Sequence, residues 1–248
     1  MNAESATGTG EFPPGTWVAV VPQRDITSAK SRLLLRPHTR QAVVRAMFRD
    51  TVAAIRAASQ VRAVVVVVDR VQDAVEVSAP DVVDRFRDAA EVLAPDVVPL
   101  LVPDARGLNE AVRAGARRAR ELWPDSPLAV LPADLPFLRG VDLDRALSAA
   151  ARHERAFVAD RHRVGTTLLT AIGGADPDPR FGERSRRAHL NSGAVEIDCP
   201  GIESLRRDVD DLADLLDVAT TRPGPALRAT LRTLRRSRSG TPVLARQP

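Results

Sequence analysis

The stretch Ala63 to Val68 reads AVVVVV, and no other run restricts the folds open to this chain as strongly. It is too short to cross a bilayer, which takes about 20 apolar residues. It also lacks the polar alternation of a strand with one wet face. A β-branched run of this kind predicts a strand buried on both faces, as at the centre of a parallel sheet. Short apolar runs recur at Thr16 to Val21, Val97 to Val102, Leu128 to Leu131, Ala156 to Ala159, Thr166 to Ile172 and Ala194 to Ile197. Between them lie segments with helical apolar spacing: Thr39 to Ser59, Asp81 to Leu93, Gly107 to Leu122 and Val141 to Ala151. Shorter helices are predicted over Phe181 to Leu190 and Asp210 to Val218. Alternation of this sort predicts an α/β fold, a mostly parallel-stranded three-layer sandwich. Right-handed crossovers place the C-terminal strand ends along one edge, and ligands of such sheets bind there.

Residues 1–15 are small, polar and rich in Pro and Gly, which predicts a disordered leader with no signal-peptide pattern. One domain is expected over 16–221, followed by a basic, partly disordered tail over 222–248 in which a short helix is allowed. The single cysteine, Cys199, forms no internal disulfide and sits in no thiol motif. No membrane segment is apparent, and these features together point to a cytoplasmic protein. The net charge of +4 raises a nucleic-acid reading. The 32 acidic residues interspersed with the arginines, and an aromatic content of only 3%, argue against it for the body of the chain. It survives as an alternative for the tail, Arg222 to Arg246.

Lys30 is the only lysine among 36 basic residues. A lysine is a compact point charge and an arginine a broad planar fork, so a lone lysine hints at a site too tight for a guanidinium. Chance survival on a solvated helix is the competing explanation. Lys30 lies in the first strand-end loop with Arg24 and Arg32, and a helix continuing through Ser28 to Leu35, capped by Thr27 or Ser28, would make that loop an anion pocket. In the third loop Gly107 permits close backbone approach and Asn109 offers a donor and an acceptor to a base or sugar, or the pair simply turns the chain into a helix. In the fourth loop Asp134 stands between Pro132 and Pro136. A carboxylate held so rigidly suits a metal, or caps a turn. In Asp208-Val209-Asp210 an extended backbone would project both carboxylates from one face, where they repel unless a cation lies between. In the alternative, Asp210 caps the last helix and Asp208 is solvated. Gly182 and Ser185 open a short helix whose amides suit a phosphate. His189, one turn on, bonds that phosphate or packs.

Taken in order, AKSRL (Ala29 to Leu33), PDARGLNEA (Pro103 to Ala111), LPADLP (Leu131 to Pro136), GTTLL (Gly165 to Leu169), FG-x-x-S-x-x-x-H (Phe181 to His189) and RRDVD (Arg206 to Asp210) resemble the guanylyltransferases of coenzyme F-420 biosynthesis. The resemblance runs from Thr16 to about Thr220. It implies a Rossmann-like nucleotidyltransferase fold that uses GTP and Mg²⁺ to activate a phosphorylated three-carbon acid: phosphoenolpyruvate, 2-phospho-L-lactate or 3-phosphoglycerate. It implies Asp134, Asp208 and Asp210 as metal ligands, and Thr167, Gly182 and Ser185 as the acceptor-phosphate pocket. Lys30, Arg32, Gly107, Asn109 and Pro132 would serve the nucleotide, with Lys30, Arg24 and Asp134 catalytic. It also implies a downstream deazaflavin transferase as recipient of the product, and it allows a homodimer. The chain departs from the family pattern twice. Gln23-Arg24-Asp25 replaces Val-Lys-Pro, so that Arg24 stands for a second lysine. Arg163-Val164 replaces a Gly-Thr pair, which keeps a catalytically impaired binding protein open as an alternative.

Overall fold

The computed structural model describes residues 16–23, 29–70, 96–103, 105–217 and 222–239. The predicted leader, the segment holding Arg24, Asp25, Thr27 and Ser28, the predicted helix over Asp81 to Leu93 and the end of the tail lie outside the described residues.

All the apolar runs become strands: β1 (Trp17–Gln23), β2 (Val61–Val68), β3 (Val97–Leu101), β4 (Leu128–Val130), β5 (Arg155–Ala159), β6 (Thr166–Ala171) and β7 (Val195–Glu196). They form one 7-stranded sheet in the order β3-β2-β1-β4-β6-β5-β7. The β1–β2, β2–β3, β1–β4 and β5–β7 pairs are parallel, while β6 runs antiparallel to both neighbours. The cause is the length of the Asp160 to Gly165 connection, since a parallel return needs a crossover of a dozen or more residues. The start of β6 therefore joins the C-terminal ends of the other strands at the ligand edge.

The AVVVVV run is buried throughout. Val64, Val66 and Val68 enter one apolar layer with Phe48 and Ile55 of α1 (Pro37–Arg56) and Leu143 and Leu147 of α3 (Gly140–Ala150). Val65 and Val67 face the other layer, beneath Val112, Ala116 and Ala119 of α2 (Leu108–Leu122). Helices thus cover both faces of the sheet, as the sequence predicts. A third cluster lies on the outer side of α1: Val43 and Met47 pack with Leu33, Val209, Leu215 and Leu227. Leu227 belongs to a helix longer than the short one the sequence allowed, Pro225–Ser239 (α6). Asp50 of α1 holds the start of this helix, accepting the amides of Ala226 at 2.9 Å and Leu227 at 2.8 Å. Two more short α-helices, α4 (Ser185–Asn191) and α5 (Leu212–Asp217), and a 3-10 turn, Glu203–Arg206, follow β6.

The expected helix through Ser28 to Leu35 is corrected by the structure. Only a single 3-10 turn, Ser31–Leu33, forms, and both flanking residues are left-handed, Lys30 at φ 56° and Leu34 at φ 54°. Buried Leu33 anchors the turn in the third cluster. Pro37 begins α1 and holds the preceding Arg36 extended, so no helix can run on. Lys30 therefore stands at no α-helix N-terminus, and its contacts with Asp134 and Asp210 are made by its ammonium.

Candidate active site

The fourth loop is built first. The buried strand β4 ends at Val130 and delivers Leu131 and Leu135 into the core on either side of Asp134. The buried hydroxyl of Thr51 accepts the Leu135 amide at 2.9 Å and donates to the Met47 carbonyl at 2.9 Å, which fixes the loop to α1. The Asp134 carbonyl accepts the Val209 amide at 3.1 Å, so the late acidic segment runs beside this loop. Val209 is fully buried, and its two neighbours face the other way, as the extended reading requires.

The capping of α5 is also settled. Asp211 accepts the Asp214 amide at 2.9 Å, and Asp214 accepts the amides of Asp211 at 3.2 Å and Asp210 at 2.8 Å. This reciprocal box, formed here by two aspartates, leaves the Asp210 side chain free of capping. That carboxylate takes the Lys30 ammonium at 2.5 Å, and the same ammonium bonds the Asp134 carboxylate. One lysine joins residues 104 and 180 positions away. Its side chain is 16% exposed, against 19% for Asp134 and 59% for Asp210.

Burial alone would lower the Lys30 pKa, but the Asp134 and Asp210 charges outweigh it and hold the ammonium above its ordinary range. The Asp208 carboxyl is pushed up to about 8, first by burial and then by the negative charge of Asp134, Asp210 and Asp160, with Lys30 opposing. Acidic groups are thus concentrated beyond what one ammonium neutralises. Asp134 Oδ1 is buried without a hydrogen-bond partner. Among the described residues no group of three acidic, His or Cys side chains stands gathered around a metal position. The orphaned oxygen, the excess negative charge and the all-oxygen donor set nevertheless suit a hard divalent cation.

Beside this cluster, at the C-terminal ends of β1 and β2, lies a cleft lined by Pro22, Gln23, Asp69, Val102, Gly107 and Ala111. Gly107 caps α2 at φ 119°. On the other side, the turn from β5 to β6 is held by Asp160, which accepts the amides of Val164 at 2.9 Å and Gly165 at 2.7 Å. Arg163, in the second of the two departures, keeps φ 57°, a conformation that favours glycine. Ion pairs of 3.0 Å to Glu196 and 3.0 Å to Asp198 hold it there. Gly182 has φ 145°, a backbone that an L side chain rarely adopts, and buried Ser185 opens α4.

The family model described as "Guanylyl transferase CofC like" matches residues 17–235. A phosphoenolpyruvate guanylyltransferase of Streptomyces scabiei is 42% identical over 215 residues, covering 86% of this chain and 94% of that protein. One of Sanguibacter keddieii is 46% identical over 233 residues, covering 85% and 82%. The chain belongs to the CofC-like guanylyl transferase family. Solved structures share the fold at low identity. A provisionally named nucleotide-diphospho-sugar transferase of Desulfovibrio desulfuricans aligns with TM-score 0.62 at 14% identity, covering 91% of this chain and 96% of that one. A 4-diphosphocytidyl-2C-methyl-D-erythritol synthase aligns with TM-score 0.52 at 13% identity, covering 85% and 99%.

In this CofC-like chain the structure brings Lys30, Asp134 and Asp210 together and sets the Asp208 carboxyl within reach of their charges. Pro132 is half-buried at the strand end and Arg32 is exposed. Arg24 lies outside the described residues. Thr167 is fully buried in β6, with its hydroxyl turned to the Val158 carbonyl at 3.5 Å. His189 packs: it is fully buried between Phe157 and Phe181, and burial lowers its pKa to about 4. Its Nε2 accepts the Arg180 amide at 3.0 Å, which leaves Nδ1 as donor to the Thr166 hydroxyl at 2.9 Å. Sequence reasoning missed Asp160, Thr51 and Asp50. For Asp160 the short connection to β6 was the available signal. Thr51 and Asp50 act across sequence distances that no local pattern reports.

Proposed function

We propose that this chain transfers the guanylyl group of GTP to the phosphate of phosphoenolpyruvate, releasing pyrophosphate and forming enolpyruvoyl-2-diphospho-5'-guanosine for coenzyme F-420 biosynthesis. The observation that carries this reading is the meeting of Lys30, Asp134 and Asp210 at the ligand edge of the sheet. The names of the relatives favour phosphoenolpyruvate over the lactyl and glyceryl acids. The labile product passes to a deazaflavin transferase, and the reaction is placed in the cytoplasm.

A phosphomonoester is largely dianionic at neutral pH, its second pKa being about 6, so attack on the α-phosphorus needs no general base. The obstacle is the meeting of two polyanions. Asp134, Asp208 and Asp210 would hold Mg²⁺, which when bound supplies charge neutralisation and orientation of the phosphates. Lys30 is placed to stabilise the charge that grows on the leaving pyrophosphate, with Arg24 assisting. Its compact ammonium suits the narrow space between two carboxylates better than a guanidinium does. The cleft at Gly107 takes the nucleoside, with Arg32 and Pro132 at its approach. Gly182, Ser185 and, from inside the sheet, Thr167 form the acceptor side. The turn at Arg163 keeps the backbone shape a glycine would give, which weighs against the impaired-relative alternative.

The test is pyrophosphate release from GTP and Mg²⁺ with each of the three acids, coupled to the downstream transfer. Release dependent on phosphoenolpyruvate is expected. Release with 2-phospho-L-lactate or 3-phosphoglycerate alone would reassign the acceptor, and release with none would overturn the reading.

A further inference from the structure

Asn109 sits two residues after Gly107, in the first turn of α2, and was expected to read a base or sugar. Its amide is engaged elsewhere. Nδ2 donates to the Phe181 carbonyl at 3.0 Å and Oδ1 accepts the Phe181 amide at 2.8 Å. A side-chain amide thus pairs with the backbone of Phe181 as a neighbouring strand would. The preceding residue is held from the opposite side, where the Arg180 amide donates to His189 at 3.0 Å. The Phe181 ring meets the same imidazole edge-on at 5.2 Å. Residues 180–181 are therefore braced between α2 and α4. The next residue is Gly182 at φ 145°, and Ser185 follows one turn later, tied back by its amide to the Gly182 carbonyl at 3.2 Å.

We infer that Asn109 is a positioning residue that sets the acceptor loop, Gly182 to Ser185, from the nucleotide side of the site. The inference rests on the function proposed above. Asn109 is rooted in the turn that lines the nucleoside cleft and grips the residue just before the acceptor loop, so it joins the two halves of the site without touching the reacting atoms. The bond is made to backbone, so the identity of residue 181 does not supply it.

Asn109→Leu removes both bonds at similar size, and Asn109→Asp keeps only the acceptor for the Phe181 amide. Steady-state kinetics and amide hydrogen exchange of residues 180–185 are read on both variants in the full chain. In Asn109→Leu the KM for the acid should rise about tenfold, as expected for a lost hydrogen-bonded brace, with the KM for GTP moving less than about twofold. Exchange of the 180–185 amides should quicken about tenfold, with Asn109→Asp falling between. A rise confined to the KM for GTP, or unchanged exchange, overturns the inference. Should the leucine variant fail to fold, the aspartate variant carries the same comparison. Should the wild type use no acid at all, the proposed function falls, and the exchange measurement alone decides the role of Asn109.

Discussion

Lys30 has a left-handed backbone, which costs an L residue about 1–2 kcal/mol, and its ammonium joins the Asp134 and Asp210 carboxylates. Lys30→Arg preserves the charge but not the compactness, and turnover should fall by at least about tenfold with little change in fold. Initial-rate kinetics beside circular dichroism check this. His189 makes a separate prediction about pH. Its folded pKa of about 4 lies below the ordinary 6.5, so between these values the unfolded chain binds the extra proton. The stability that neutral His189 contributes is complete above about pH 6.5 and lost as pH falls toward 4, by roughly 3 kcal/mol. Urea unfolding at pH 7 and pH 4.5 should show that loss in the wild type and a smaller one in His189→Gln. The charge and spacing of these residues were legible in the sequence. Whether Asp210 capped a helix or met a cation was not, because the answer hung on Asp211 and Asp214 capping each other first.

At the level of elements, apolar runs marked the seven described strands, most plainly where a strand is buried on both faces, as β1, β4 and β6 are, and polar alternation has no place. The direction of β6 is encoded only in the length of its connection, and the site depends on it. The 3-10 turn after Lys30 went unread because tertiary anchoring of Leu33 overrode a fair helical pattern. Helix α2 lies unusually close to the sheet at Gly115. A Cβ there would come within 2.5 Å of Val20 Cγ1 and 2.7 Å of Val67 Cγ2. Gly115→Val should cost about 1–3 kcal/mol by overpacking. Thermal denaturation measures it, and an unchanged midpoint would show that α2 sits further from the sheet.

Across the molecule, the third cluster links stability to chemistry. Leu33 beside the Lys30 loop, Val209 between Asp208 and Asp210, and Leu227 of α6 share it. Chain ending at residue 221 should lose about 2 kcal/mol or more, since full burial of Leu227 alone is worth about 1.5–3 kcal/mol. It should also lose activity, which a tail serving only to bind nucleic acid would not affect; denaturation and turnover of the shortened chain test both. The meeting of Asp134 with Lys30 and the Asp208–Asp210 segment is central to the whole account. Its most direct test is acid-dependent pyrophosphate release from GTP and Mg²⁺ by Asp134→Asn, measured beside the wild type. The expected result is a fall in kcat of at least about 100-fold with the fold intact. Turnover at the wild-type rate would contradict the account.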